Sequence, residues 1–221
     1  ERDYFGAPVD VLHVKGSGWD LATIEKEGFA PVRIETLLKM AELDVLSDAD
    51  MVTQQRAAML NPSAPTPSVE AILHAILPPK FVDHTHADAV VALVNNKDGR
   101  RHVEDVYGES VLVIPYVMPG FILSREVFKR VQGVDFTKLK GLILMNHGIF
   151  TFHDDARASY ELMIELVSKA ERHIRKNLQR RGKVLVPAKP KENLMALARL
   201  RRAVADQRGG ARACPCAPLR S

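Results

Sequence analysis

A layered α/β domain is the fold class that this sequence predicts, and three observations predict it. Short apolar stretches rich in β-branched residues, "VLHV", "FVDHTH" and "VLVI", alternate with amphipathic segments of helical period. "GLILMNHGIFTFH", residues 141–153, is apolar enough for two central strands that meet at His147 and Gly148. Residues 154–178, "DDARASYELMIELVSKAERHIRKNL", carry the strongest amphipathic helix pattern in the chain.

The elements follow in order. Val9 to Val14 reads as a strand, stopped by "KGSGWD", after which Asp20 or Thr23 caps a short helical turn. "APVRIETLLKMAELDVL" is extended and then helical from about Arg33. "LSDADMVTQQRAAML" is a helix with Ser47 or Asp48 at its N-cap. The proline-rich "NPSAPTPS" forms a rigid loop, and Ser68 caps a helix whose apolar face is Val69, Ile72, Leu73 and Ile76. Pro78 and Pro79 end that helix. "KFVDHTH" is a strand, "ADAVVALVNN" a helix, "VLVIPYVMPGF" a strand running into a loop, and "SREVFKRVQ" a helix. After Gly182 the pattern fades, and "DQRGGARACPCAPLRS" reads as disordered. The expected organisation is therefore one domain over residues 1–182 and a basic linker and tail over 183–221.

Composition narrows the class. With 221 residues, 46% apolar and 26% charged, the chain is long enough to bury a core and ordinary for a soluble protein. No apolar run approaches the roughly 20 residues of a membrane span, and residues 1–10 show neither a basic n-region nor an apolar h-region. Glu1 stands where an initiating Met would, so the chain is read as a fragment or a processed product. The excess positive charge lies from residue 171 onward without an aromatic platform or groove-reading motif. It reads as a solvated helix face or tail rather than a nucleic-acid surface. Cys214 and Cys216 are the only cysteines, both in the tail, which favours a reducing cytoplasm.

The chemistry centres on histidines. His84 and His86 stand two residues apart, and such residues share a face of an extended segment. Two neutral imidazoles aimed at one point suit a divalent transition metal, most often zinc. The same pair reads equally as surface histidines or as a pair satisfied in a core. His147 adds a third imidazole at the second strand-turn, where Gly148 allows a tight turn. Glu70, in the first turn of the Ser68-capped helix, is either a complement to the helix dipole or a carboxylate that ligates metal and exchanges protons with substrate. His74, one turn beyond, is either a buried helix histidine or a support for a ligand. Two loops offer anion-binding groups: "KGSG", with Ser17 and Gly18, and "TPS", with Thr66 and Ser68 ahead of a helix N-terminus. Glycine-rich turns are more often simply turns.

"PSVEAILHAILPPKFVDHTHADAVVAL", followed by "VIPYVMPG" and "LILMNHGIFTF", resembles the class II aldolase/adducin family in the order of its Glu, His-x-His and distal His-Gly. The separation of His84 from His147 fits the fuculose-phosphate aldolase type. The resemblance covers roughly residues 9 to 180. "VLHVKGSGWDLATI" and "FVDHTHADAVVALVN" look most like the aldolase half of bifunctional rhamnulose-1-phosphate aldolase/alcohol dehydrogenases. The resemblance implies a three-layer fold with a central mixed or antiparallel sheet flanked by helices. It implies that His84, His86 and His147 bind Zn2+, with Glu70 as fourth ligand at rest and as catalytic acid/base with substrate bound. Ser17, Gly18 and Ser68 would hold the phosphate of a phosphorylated ketose. The reaction would split that ketose 1-phosphate, rhamnulose 1-phosphate in the first instance, into dihydroxyacetone phosphate and lactaldehyde. A metal supplies the electron sink, so no Schiff-base lysine is needed.

The same resemblance implies a homotetramer with shared sites, for which Tyr107 and Tyr116 are candidate contributors. Related enzymes on this fold epimerise pentulose phosphates or dehydrate methylthioribulose phosphate, and adducin heads keep the fold as non-catalytic scaffolds. The family's N-terminal "GGN-T/S" type phosphate segment is missing before Glu1, which makes an impaired fragment a further reading, and the tail "GGARACPCAPLRS" looks out of frame.

Overall fold

The computed structural model describes residues 1–180 and 194–207. Within residues 1–180, strands β1 (Val11–Lys15) and β2 (Phe29–Arg33) form an antiparallel ribbon, Val11 opposite Arg33 and Lys15 opposite Phe29. Helices α1 (Ile34–Ala41), α2 (Asp48–Ala57) and α3 (Ala71–Ile76) follow, then β3 (Phe81–Thr85), α4 (Asp88–Val94) and α5 (Gly99–Tyr107). The rest comprises β4 (Val111–Ile114), α6 (Phe121–Val131), β5 (Gly141–Leu144), β6 (Gly148–His153) and α7 (Ala156–Arg180).

The main sheet has the order β3-β6-β5-β4. β6 runs antiparallel to both β3 and β5, and β4 lies parallel to β5, so the sheet is mixed as expected. Side chains alternate across it. Leu142, Leu144, Phe150 and Phe152 point into one core with α1, α3, α6 and the ribbon, through Leu37, Ile72, Leu73, Val127, Val14 and Val32. Ile143 and Ile149 point into the other, with Val90 and Leu93 of α4, Val103 of α5, and Leu166 and Ala170 of α7. Burial on both faces explains why residues 141–150 read as an almost unbroken apolar run.

Several local expectations shift. Ser47, rather than Asp48, caps α2, its Oγ accepting from Asp50 N at 3.0 Å. Asp48 instead reaches across the fold and accepts from Phe121 N at 2.9 Å, which starts α6 three residues before Ser124. α3 begins at Ala71, and Val69 is 45% exposed rather than part of its apolar face. Ser68 Oγ accepts from Glu70 N at 3.2 Å, so it closes a tight turn before the helix. α5 was not anticipated from its charged sequence, although Val103, Val106 and Tyr107 have helical spacing and pack into the second core. Tyr107 is buried there with its hydroxyl donating to Leu166 O at 3.1 Å, a packing role that removes it as a contributor to a site.

Beyond residue 182, Leu194–Gln207 forms helix α8, so Asp206 and Gln207 are helical where disorder was expected. Residues 183–193 and 208–221, Cys214 and Cys216 included, lie outside the described residues. Among the described residues no helix is long and apolar enough to cross a membrane.

Leu142, fully buried beneath α3 and α6, tests the layered packing. Leu142→Ala removes methyl groups from a rigid wall and should cost about 2–5 kcal/mol. Urea unfolding checks it: the midpoint falls with an unchanged m-value.

Candidate metal centre

Three separated segments bring Glu70, His84, His86 and His147 to one point. Glu70 immediately precedes α3, His84 lies in β3, His86 just past its end, and His147 in the turn between β5 and β6. His84 Nε2 is 3.0 Å from His86 Nε2 and 3.2 Å from Glu70 Oε2. Glu70 Oε1 is 3.0 Å from His147 Nε2. One donor atom from each residue falls within 4.8 Å of all the others. The side chains of Glu70, His84 and His147 are 15%, 10% and 8% exposed, whereas His86 stands at the solvent side and leaves the cluster approachable from there.

Backbone geometry explains the convergence. His147 follows Asn146, a non-glycine residue at φ 58°, the left-handed region that asparagine tolerates better than most. The turn thus relies on Asn146, and Gly148 does a different job from the one expected of it. A Cβ on Gly148 would lie 2.5 Å from Thr85 O, 2.9 Å from His86 Cδ2 and 3.2 Å from His84 Cε1. Its missing side chain lets β3 and both of its histidines approach His147. The His84 ring is fixed from two sides. Nδ1 donates to Ile149 O at 2.9 Å, and the ring stacks on Phe150 with centroids 4.0 Å apart and planes 17° off parallel. With Nδ1 carrying the proton, the Nε2 lone pair faces Glu70 and His86, as a metal-ligating imidazole requires. His74 does not provide such a support: its ring sits edge-on to Phe150, 5.4 Å away.

The electrostatics suit a cation. Burial alone would raise the Glu70 carboxyl, but His147 and His84 beside it outweigh burial and hold it well below the ordinary carboxylate range. Burial, then the neighbouring His84 and His147, push His86 down, which favours its neutral, ligating form. Burial and the His84 charge lower His74 to about 4. Glu70 Oε1 and His147 Nδ1 are buried and find no hydrogen-bond partner among the described residues. Glu70 Oε1 approaches His147 Nε2 at 3.0 Å. Three nitrogens and one carboxylate oxygen are a donor set that a single divalent transition-metal ion fits.

The two anion-loop candidates lie side by side and lead to the cluster. Ser17 N donates to Thr66 O at 2.8 Å, Ser68 N donates to Lys15 O at 3.1 Å, and Gly16 bridges to Pro67. Gly18 is exposed at φ 87°, and Ser17 Oγ is 3.5 Å from Pro67 O. Tyr116 is 54% exposed in the loop after β4. Asn146, Ile149 and Phe150 were not singled out from sequence. Phe150 stands within the apolar run of residues 141–153 and belongs to the first core as well.

Gly148→Ala should therefore separate the ligands. Overpacking against Thr85 O costs about 1–3 kcal/mol of stability, and the displaced histidines weaken metal affinity roughly 10–100-fold, as loss of ligand support does. Competition with a fluorescent chelator on folded protein reads the second effect apart from the first.

The sequence matches the family described as Class II Aldolase and Adducin N-terminal domain over residues 5–174. The uncharacterized oxidoreductase YuxG of Bacillus subtilis (strain 168) is 35% identical over 175 residues, 79% of this chain and 25% of that protein. The chain thus spans about a quarter of the length of this relative. Among solved structures, the N-terminal class II aldolase domain of a conserved protein from Thermoplasma acidophilum superposes with a TM-score of 0.71 and 41% identity, covering 79% of each chain. An L-fuculose 1-phosphate aldolase shares the fold at a TM-score of 0.51 and 16% identity, over 86% of this chain and 80% of that one. The matched span carries both cores and the whole His/Glu cluster, and the chain belongs to the class II aldolase and adducin family.

Proposed function

We propose that the chain is a zinc-dependent aldolase that cleaves a ketose 1-phosphate, rhamnulose 1-phosphate in the first instance, into dihydroxyacetone phosphate and lactaldehyde. The observation that carries this reading is the convergence of Glu70, His84, His86 and His147 within 4.8 Å, at the end of two loops paired through Ser17–Thr66 and Ser68–Lys15 hydrogen bonds. His84, His86 and His147 would hold the ion, with Glu70 as fourth ligand at rest. When bound, zinc supplies the Lewis acidity that accepts the electron pair released as the C3–C4 bond breaks.

The remaining steps belong to the protein. The loops containing Ser17, Gly18 and Ser68 would receive the phosphate, and their pairing fixes its distance from Glu70 through the Ser68–Glu70 hydrogen bond. Glu70 would deliver a proton to C3 of the dihydroxyacetone phosphate half and recover it in the condensation direction. At rest His147 and His84 keep this carboxylate ionised. Once displaced from them it loses that stabilisation, and burial dominates and raises its pKa toward the range useful for proton transfer. Tyr116 could reach a neighbouring subunit's site in a homotetramer. The oxidoreductase name of YuxG, matched over only a quarter of its length, supports a module that works beside an oxidoreductase in a longer protein.

Glu70→Gln separates binding from chemistry. Dihydroxyacetone phosphate release from rhamnulose 1-phosphate should fall about 10²–10⁴-fold while three imidazoles retain zinc. Parallel assays with fuculose and ribulose phosphates identify the sugar, and product analysis distinguishes cleavage from epimerisation or dehydration. Zinc-loaded native protein that cleaves none of these phosphates would overturn the aldolase reading.

A further inference from the structure

A second pair of histidines meets in the helical layer opposite α3, and the aldolase reading uses neither. His102 of α5 and His173 of α7 place Nδ1 and Nε2 3.1 Å apart, with ring centroids 5.1 Å apart and planes at 72°. Both are half-buried and line an open cleft of about 310 Å³ together with Arg101, Asp105, Lys176 and Asn177. As neutral imidazoles they share one bridging proton. Transfer of that proton to the far nitrogen of its own ring is a tautomer change, and it leaves two lone pairs converging on one point.

Nitrogens bound at about 2.0–2.1 Å to one tetrahedral ion stand roughly 3.3 Å apart. The observed spacing is thus within a small ring rotation of a chelating geometry. Asp105, three residues after His102, lines the same cleft and adds negative charge there, while the ion itself would be held by the two imidazoles and solvent, since among the described residues only the Glu70 cluster brings three or more ligating side chains together. An anion would need the two facing nitrogens to part, because each is occupied by the other. Arg101 and Lys176 oppose a cation, but both reach into solvent, where screening is strong, and Arg101 leans toward Asp98 at 3.9 Å.

We propose that His102 and His173 form a second, two-imidazole site for a divalent transition-metal ion of the zinc, nickel and copper class, with the Asp105 carboxylate adding negative charge to its cleft. The ion would tie α5 to α7, whose Val103, Tyr107, Leu166 and Ala170 already share a core, and so stabilise that layer.

Calorimetric titration of zinc into full-length chain already holding one equivalent tests this. The native chain should take up a second equivalent and melt at a higher temperature. The double variant His102→Gln, His173→Gln should lose the second equivalent and the thermal shift while keeping the first, which shows that it is folded. Asp105→Asn should weaken the second event. In the His84→Ala, His86→Ala chain the second site should still bind, so failure of the Glu70 centre and failure of this site are separable. A loaded native chain that takes no second equivalent, or a double variant that still takes it, overturns the proposal.

Discussion

The antiparallel register of β3 on β6 sets His84 opposite Phe150 and Thr85 opposite Ile149, and the geometry of the cluster depends on it. A slip of one residue would turn His84 to the other face of the sheet, where Ile149 and α7 pack. In the observed register the same pairing gives His84 its stacking partner, its Nδ1 acceptor and its closeness to His147 across Gly148. Both cores enforce that register, because β6 buries Phe150 and Phe152 on one face and Ile149 on the other. The site is thus held on strands that both cores constrain.

Such a cluster is costly without a cation. An ionised carboxylate and three imidazoles share a small, mostly buried volume, and two of its polar atoms lack hydrogen-bond partners among the described residues. The fold tolerates this because Glu70 leads into α3, whose Ile72 and Leu73 are anchored in the first core, while His86 and Ser17 remain open to solvent. Packing energy thus holds the four side chains in place, and the His86 side stays open to solvent.

Much of this was legible in the residues. The near-continuous apolar run over residues 141–150 locates the central strands, and His-x-His, Glu70 and His147 mark the four side chains that converge. Their roles were less legible from local pattern. Sequence spacing puts His86 on β3, yet it lies past the strand's end, and points to Gly148 as the turn residue, yet Asn146 takes the left-handed conformation. Ser68 reads as a helix cap but fixes the backbone of Glu70. These differences share a cause: each depends on a cross-strand or loop-to-loop approach that sequence spacing does not encode. Helix α5 escaped notice for the opposite reason, since its charges obscured a short three-residue apolar stripe.

X-ray absorption at the zinc edge, on protein loaded with one equivalent, tests the central claim most directly. A first shell of three imidazole nitrogens and one carboxylate oxygen at about 2.0–2.2 Å is the predicted result. A shell containing sulfur, or fewer than three imidazoles, would contradict it.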